Sequence, residues 1–308
     1  MKRTIYALLA VLAVTTFATS CSSSSDPSAP VVQMYASADE NDSYTWNFST
    51  QASDANSFTW DFGDGESGEG AEISHTYTKS GEYTVTVTAK GDGGETADSK
   101  KITVVAGIEE LLTGGPDAKN GKTWKLSQDN SNQNDGVYDI DGSVIQLAPG
   151  GALAMFGLGD EYDNEFTFFD GGKYAINPMN SKVLASWSYA AITGTTTQFS
   201  EETGLAIATF NAINNGNYTI KTGDLEVEVR KDVAGSIVET KVFKDATWLE
   251  FSEGAFFGIN TFDTRVVLEE VAADKIYVSI LLSTLDPNTY PADYKKPSNL
   301  YKFTFDAK

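Results

Sequence analysis

Short segments rich in Thr, Val, Tyr and Phe recur along this sequence, and Gly, Asn and Asp separate them. In residues 83–88 the alternation is complete, because Tyr83, Val85 and Val87 point to one side of an extended chain and threonines point to the other. β-Branched and aromatic residues favour strands. The 308 residues therefore predict an all-β protein of two domains, since one domain usually takes about 100–200 residues.

The start of the chain has the pattern of an export signal. Two basic residues precede an apolar run over residues 5–14, which is too short to span a bilayer. Cys21, the only cysteine, follows small residues, and this arrangement resembles a bacterial lipoprotein cleavage site. We predict a lipoprotein signal peptide over residues 1–20, lipidation at Cys21 and a lipidated tether over residues 21–30. The resemblance implies an outer-membrane location, with the protein facing the cell exterior.

Residues 31–106 carry an ordered set of motifs: Trp60–Gly65, His75–Tyr77 and Gly81–Val85. Together they resemble the PKD (polycystic kidney disease) domain, which implies an immunoglobulin-like β-sandwich. Within the first motif the two aromatic residues alternate towards a core, and the two glycines permit a tight turn with positive φ.

Residues 107–308 predict a second and larger domain. Residues 108–113 can form one helical turn, which Gly114, Gly115 and Pro116 would end. Short strand-like segments separated by turns fill the rest, which favours a sandwich or a closed sheet over a parallel α/β fold. We predict a larger β-sandwich that is jelly-roll-like.

Several short motifs of this domain give a second resemblance: Gly121–Leu126, Tyr162–Phe168, Gly171–Tyr174 and Arg265–Leu268. They are similar to C-terminal domains of surface glycan-binding lipoproteins from Bacteroidota-type polysaccharide-utilisation systems. The resemblance implies a non-catalytic protein that captures polysaccharide, with β-glucan such as laminarin as one candidate ligand. It also implies an outer-membrane glycan importer complex as a partner.

Aromatic residues are the natural candidates for such binding, since sugar rings present apolar faces on which Trp and Tyr can stack. In the segment around Trp248, alternation sends Leu249 and Phe251 to one face and Trp248 to the other, with Glu250 beside it on the chain. Ordinary core packing is the alternative for each aromatic residue. The predicted glycan-binding residues are Trp187 and Tyr189, in a segment interpreted as a long loop, together with Trp248, Glu250, Tyr290, Tyr294 and Tyr162.

Glu161, Asp163 and Glu165 have the spacing E-x-D-x-E, which superficially resembles the catalytic strand of laminarinases and lichenases. In a strand the three carboxylates would share one face, as a retaining glycosidase needs. The glycine-containing run before them indicates a loop instead, so we predict no catalytic residues. A lipid-anchored hydrolase using Glu161 and Glu165 is one alternative, and a structural or adhesive lipoprotein is another.

Other chemistries find little support in the composition. His75 is the only histidine, which excludes a multi-histidine zinc site and argues against a Ser-His-Asp triad. Asp129–Gly136 is rich in oxygen donors but lacks the EF-hand spacing. A net charge of −21 disfavours nucleic acid as a partner. The sequence therefore predicts neither a metal nor a cofactor.

Overall fold

The computed structural model describes residues 26–40, 42–130, 133–200, 202–230, 238–252, 254–284, 288 and 294–308. The structure is mostly β, and the all-β prediction is confirmed. Within these ranges, no helix combines the length and the apolar character that crossing a membrane requires.

Two small sheets form the N-terminal part of the structure. Their strands are β1 (Val31–Ala38), β2 (Thr45–Ser53), β3 (Ser57–Asp61), β4 (Ser67–Glu69), β5 (Glu72–Thr76), β6 (Gly81–Gly91) and β7 (Gly94–Val104). One sheet has the order β1-β2-β5 and the other has the order β4-β3-β6-β7.

The chain forms two compact units, and the first includes Phe48–Ile73 and Thr84–Lys101. Its core contains Phe48, Trp60 and Phe62, each 2% exposed, and Phe48 lies 5.6 Å from the ring of Trp60. The indole nitrogen of Trp60 donates a hydrogen bond to the carbonyl oxygen of Gly70 at 2.8 Å. The motif aromatics therefore point into the core, as the alternation predicts.

The turn after Phe62 supplies a stability test. Gly63 and Gly65 both have positive φ, but a Cβ on Gly63 would lie 2.7 Å from the carbonyl oxygen of Thr84, whereas a Cβ on Gly65 would meet nothing within 4 Å. We expect Gly63→Ala to lower the free energy of unfolding by about 1.5 kcal/mol and Gly65→Ala by about half as much. Urea denaturation of both variants measures this, and equal losses would contradict the proposed backbone clash.

The C-terminal part contains thirteen of the described strands. They are β8 (Lys122–Leu126), β9 (Gly136–Asp139), β10 (Val144–Leu147), β11 (Glu165–Phe169), β12 (Lys173–Asn177), β13 (Lys182–Ser186), β14 (Thr196–Ser200), β15 (Leu205–Thr209), β16 (Ile213–Arg230), β17 (Val238–Phe251), β18 (Arg265–Val271), β19 (Lys275–Leu282) and β20 (Asn299–Ala307).

Its helical segments are short. The α-helices are α1 (Ile108–Thr113), α2 (Ala152–Met155) and α3 (Trp187–Thr193), and the 3₁₀ segments are Gly159–Asp163 and Met179–Ser181. Helix α1 has the predicted bounds, and Gly114 ends it in the left-handed conformation at φ 83°.

The main sheet closes on itself. Its strand order is β10-β9-β20-β19-β18-β17-β16-β12-β11-β8, and β8 also pairs with β20, for example Leu126 with Phe305. We predicted a jelly-roll-like sandwich, whereas these ladders form a closed antiparallel ring of eight strands from which β9 and β10 extend. A second sheet, β13-β15-β14, is inserted between β12 and β16. Because the ring is closed, each of its eight strands is hydrogen-bonded to a neighbour on both sides, and no strand of the ring is left as an edge.

A large aromatic core belongs to this ring. Phe168 packs edge-on against Phe257 at 5.2 Å, and Phe257 stacks on Phe305 at 4.1 Å. Trp124 is fully buried, as predicted, and its indole nitrogen donates to the carbonyl oxygen of Leu112 at 2.8 Å. Strands from both ends of the domain therefore meet in one core.

The hairpin of the paired strands β16 and β17 contains the two longest of the described strands, with 18 and 14 residues. Beyond the irregularity at Gly223, its residues Leu225, Val227 and Val229 join a second apolar cluster with Val267. Val267 is on the opposite side of β18 from Val266 and Leu268, which belong to the main core. The far half of the hairpin therefore belongs to a cluster on the outer face of the ring.

Candidate functional site

A backbone bridge joins the inserted sheet to the loop before β18. Ala185 on β13 pairs in parallel with Asn260, and the amide of Ser186 donates to the carbonyl oxygen of Asn260 at 2.9 Å. Ser186 also caps α3, since its hydroxyl accepts from the amide of Tyr189 at 3.2 Å. The interpretation of residues 187 and 189 as a long loop was therefore wrong. The helix and its cap bring Tyr189 beside Phe262.

Three half-buried aromatic rings form a row at this point. The ring centroids of Tyr189 and Phe262 are 5.2 Å apart, and those of Phe262 and Tyr294 are 5.3 Å apart. The planes of successive rings are inclined by 61° and 69°, so the row is angled rather than flat. The Lys295 ammonium is 5.8 Å from the centroids of both Phe262 and Tyr294. Two predicted residues therefore meet through a third that was not predicted.

A bidentate ion pair lies beside the aromatic row. The Arg265 guanidinium donates to both carboxylate oxygens of Asp263, at 2.9 and 2.7 Å, and also to the carbonyl oxygen of Glu226 at 3.0 Å. The hydrogen bonds that Arg265 donates to Asp263 raise the pKa of its guanidinium further above its usual range. These contacts fix the orientation of the guanidinium.

Phe262, the middle ring of the row, and the ion pair line an open groove of 640 Å³. Its described lining includes four acidic and three basic side chains, although the whole chain carries a charge of −21. Glu250 pairs with Lys221 at 2.5 Å, and Glu228 lies 3.5 Å from Lys296. The groove therefore has charges of both signs that are largely compensated, and its wall is part aromatic. Such a surface can hydrogen-bond hydroxyl groups and stack on apolar ring faces.

The two predicted tryptophans lie elsewhere. Trp187 packs against Phe199 with ring centroids 5.1 Å apart. Trp248 faces away from the main core, as the alternation predicts, but packs partly buried against the cluster that contains Val267. In the described structure its indole nitrogen is buried and has no hydrogen-bond partner. Neither indole is among the described residues that line the groove.

The acidic segment is not an extended strand over its whole length. Glu161 and Asp163 lie in the 3₁₀ segment, and Glu165 begins β11. Glu161 is 3% exposed and accepts a hydrogen bond from the Asn164 amide at 2.5 Å, and burial raises its pKa to about 7. A hydrogen bond from Lys308 at 2.5 Å instead lowers the pKa of Glu165. The surroundings of Glu161 therefore favour its protonated form, whereas those of Glu165 favour its ionised form.

The remaining predicted residues are placed as follows. Tyr162 is buried, and its hydroxyl accepts from the amide of Leu153 at 3.1 Å. Cys21 and Tyr290 lie outside the described residues. Asp135, from the oxygen-rich segment, accepts hydrogen bonds from the hydroxyl and amide of Thr304 at 2.7 and 3.2 Å. Its two carboxylate oxygens thus join that segment to β20.

Sequence reasoning missed Phe262, Asp263 and Arg265. The sequence contains one weak signal for a turn at this position. An Asp side chain often accepts a hydrogen bond from the backbone amide two residues further along the chain. Asp263 does so, since its Oδ1 accepts from the Arg265 amide at 3.0 Å. The signal locates the turn, but it does not indicate that Tyr189 lies opposite.

The N-terminal domain is an immunoglobulin-like β-sandwich, and a larger β-rich domain follows it in the chain. Residues 24–106 match the family model described as PKD domain, so this part of the chain is a PKD domain and that prediction is confirmed. The match leaves the C-terminal domain unassigned.

Two solved structures are similar to the same part of the chain. The PKD1 domain of Vibrio anguillarum Epp is 26% identical, with 26% of this chain and 99% of that domain covered and a TM-score of 0.24. The PKD1 domain from Vibrio cholerae metalloprotease PrtV is 31% identical, with 25% and 96% covered and a TM-score of 0.23. No curated protein matches the chain.

Proposed function

We propose that this protein is a non-catalytic glycan-binding protein whose site is the groove beside Tyr189, Phe262 and Tyr294. The angled aromatic row carries the proposal. Inclined rings suit a curved, soluble glycan chain better than a flat crystalline surface, because each ring can stack on a differently oriented sugar face. The compensated charges suit a neutral polysaccharide, and β-glucan such as laminarin is one candidate.

The proposal includes a place for the protein on the cell. Lipidation of Cys21 would anchor it to the outer membrane, and the PKD domain would act as a spacer that holds the groove towards polysaccharide near a glycan importer complex. Labelling cells with a radioactive fatty acid tests the anchor. Cys21→Ser should abolish incorporation into the protein, and undiminished labelling would refute lipidation at this residue.

A glycoside hydrolase is the second candidate, and one observation favours it. The pKa of Glu161 is raised to about 7 and that of Glu165 is lowered, which is the pattern expected of a general acid and a nucleophile. Against it, Glu161 is 3% exposed, so a sugar could not reach its carboxyl group without a rearrangement. The non-catalytic proposal is therefore the better supported of the two.

Affinity electrophoresis tests both candidates on one set of samples. The protein is run in native gels that contain laminarin, mixed-linkage glucan, xylan, mannan or pectin, and reducing-sugar release is assayed with the same polymers. Retardation by one glycan without release supports the binding proposal and identifies the ligand class. Release that is lost in Glu161→Gln would favour the hydrolase, and neither effect on any polymer would favour a structural or adhesive protein.

A further inference from the structure

A cavity of 430 Å³ lies in the C-terminal domain beneath β9, β10 and the segment that follows them. It is lined by Val137 on β9, Leu147 on β10, Phe156 after α2 and Phe303 on β20, among others. Strands β9 and β10 are the extension of the closed ring, and β20 is the ring strand with which β9 pairs. None of these side chains lines the aromatic groove. The cavity is therefore a separate feature from the proposed glycan site.

The walls of the cavity are residues of the main core. Leu153, Tyr162, Leu205 and Tyr301 line it, and all four belong to the buried core cluster. Protein interiors are close-packed, and voids larger than a water molecule are few. Ligand pockets, by contrast, typically measure about 300–1,000 Å³. This space opens to solvent and has the size of a ligand site.

Hydrogen bonds hold the rim of the cavity in place. The amide of Ala148 donates to the carbonyl oxygen of Asp135 at 2.8 Å, and the Asn130 side chain donates to the carbonyl oxygen of Ala148. The Tyr301 hydroxyl donates to the carbonyl oxygen of Thr203 on the opposite side. These contacts join the rim to the core, so the cavity is formed before any ligand enters.

The polarity of the lining selects the ligand. Among the described residues that line the cavity there is no Lys, Arg or His, so an anion would find no cationic partner. Of the two acidic residues in the described lining, Asp135 is already engaged by Thr304, and Glu202 is exposed to solvent. The oxygen of the Tyr162 hydroxyl accepts a hydrogen bond from the Leu153 amide. The same hydroxyl could donate a hydrogen bond to an acceptor atom on the ligand. We infer that this cavity binds a small, uncharged and mainly apolar molecule.

Exposed apolar side chains mark the entrance. Met155 is 73% exposed and Leu147 is 49% exposed, and both line the cavity. Methionine is flexible and adapts to ligands of different shape. These side chains would cover an apolar ligand from the solvent side, which gives a role to apolar surface that is otherwise unfavourably exposed.

Fluorescence titration with N-phenyl-1-naphthylamine, a neutral apolar probe, tests the inference on the purified protein. We expect a saturable increase in emission with one site per chain. Met155→Asp should weaken binding of the probe about fivefold or more, because it puts a charge at an apolar entrance. Ile192→Asp is the matched control, since Ile192 is 49% exposed but does not line the cavity.

The outcomes separate clearly. A saturable signal that weakens in Met155→Asp and is unchanged in Ile192→Asp supports the inference. Its absence, or equal weakening in both variants, would overturn it, because the probe would then report general apolar surface. Tighter binding of the anionic probe 1-anilinonaphthalene-8-sulfonate than of the neutral one would overturn the assignment to an uncharged ligand. None of these results depends on whether the groove binds glycan.

Discussion

Replacing Phe262 by alanine should weaken glycan binding by about 30-fold or more, if the groove is the binding site. Phe262 is the middle ring of the row and contacts both Tyr189 and Tyr294. Its loss removes one stacking face and also leaves the other two rings without the side chain that positions them. Affinity electrophoresis over a series of glycan concentrations measures the change in dissociation constant.

Phe199→Ala is the matched control for this experiment. Phe199 is 37% exposed and packs against Trp187 at 5.1 Å, so the same substitution removes a similar ring from a different aromatic pair. Its glycan affinity should stay within about twofold of the unmodified protein. If Phe199→Ala abolishes retardation while Phe262→Ala retains it, the Trp187 surface is the site and the groove is not.

Local sequence signals predicted the features that depend on a few neighbouring residues. Ile108–Thr113 is a helix because good helix formers end at Gly114, which adopts the left-handed conformation without strain. The orientation of Trp60 and Phe62 follows in the same way from the two-residue repeat of a strand. Such features need no information from distant parts of the chain.

The closure of the ring could not be predicted in this way. It depends on the pairing of Leu126 with Phe305, and each of these residues only shows that its own segment is a buried strand. Helix α3 was missed for a related reason. Its seven residues include Trp187, Tyr189 and Ile192, which have no strong preference for helix, and the Ser186 cap becomes meaningful only once β13 has placed it.

The candidate site illustrates the same limit. Residue type made Tyr189 and Tyr294 separate candidates for glycan binding, but it did not predict that they share one row. In the chain, 73 residues separate Tyr189 from Phe262, the ring between them. Phe262 follows the apolar run Ala255–Ile259, which is buried, and so it reads as one more core residue. The bridge between Ala185 and Asn260 brings its segment beside the strand that precedes Tyr189. Convergence of side chains is a tertiary property that spacing alone does not encode.

Glu161→Gln should stabilise the protein at pH 8 by about 2–3 kcal/mol and change its stability little at pH 5. Burial raises the pKa of Glu161 to about 7 in the folded state, whereas an unfolded chain has a value near 4.5. Between these values the folded state binds more protons than the unfolded state. The free energy of unfolding therefore falls as pH rises through this window, and glutamine removes that loss while still accepting the Asn164 hydrogen bond.

Guanidinium denaturation followed by tryptophan fluorescence at pH 5, 6, 7 and 8 measures this difference. Glu165→Gln is the control, because the hydrogen bond from Lys308 lowers the pKa of Glu165. That variant should lose up to about 1 kcal/mol, and the loss should stay nearly constant between pH 5 and 8, where Glu165 is already ionised in both states. A Glu161→Gln effect that is also independent of pH would mean that the pKa of Glu161 is not raised in the folded protein. That result would remove the one observation that favours the hydrolase.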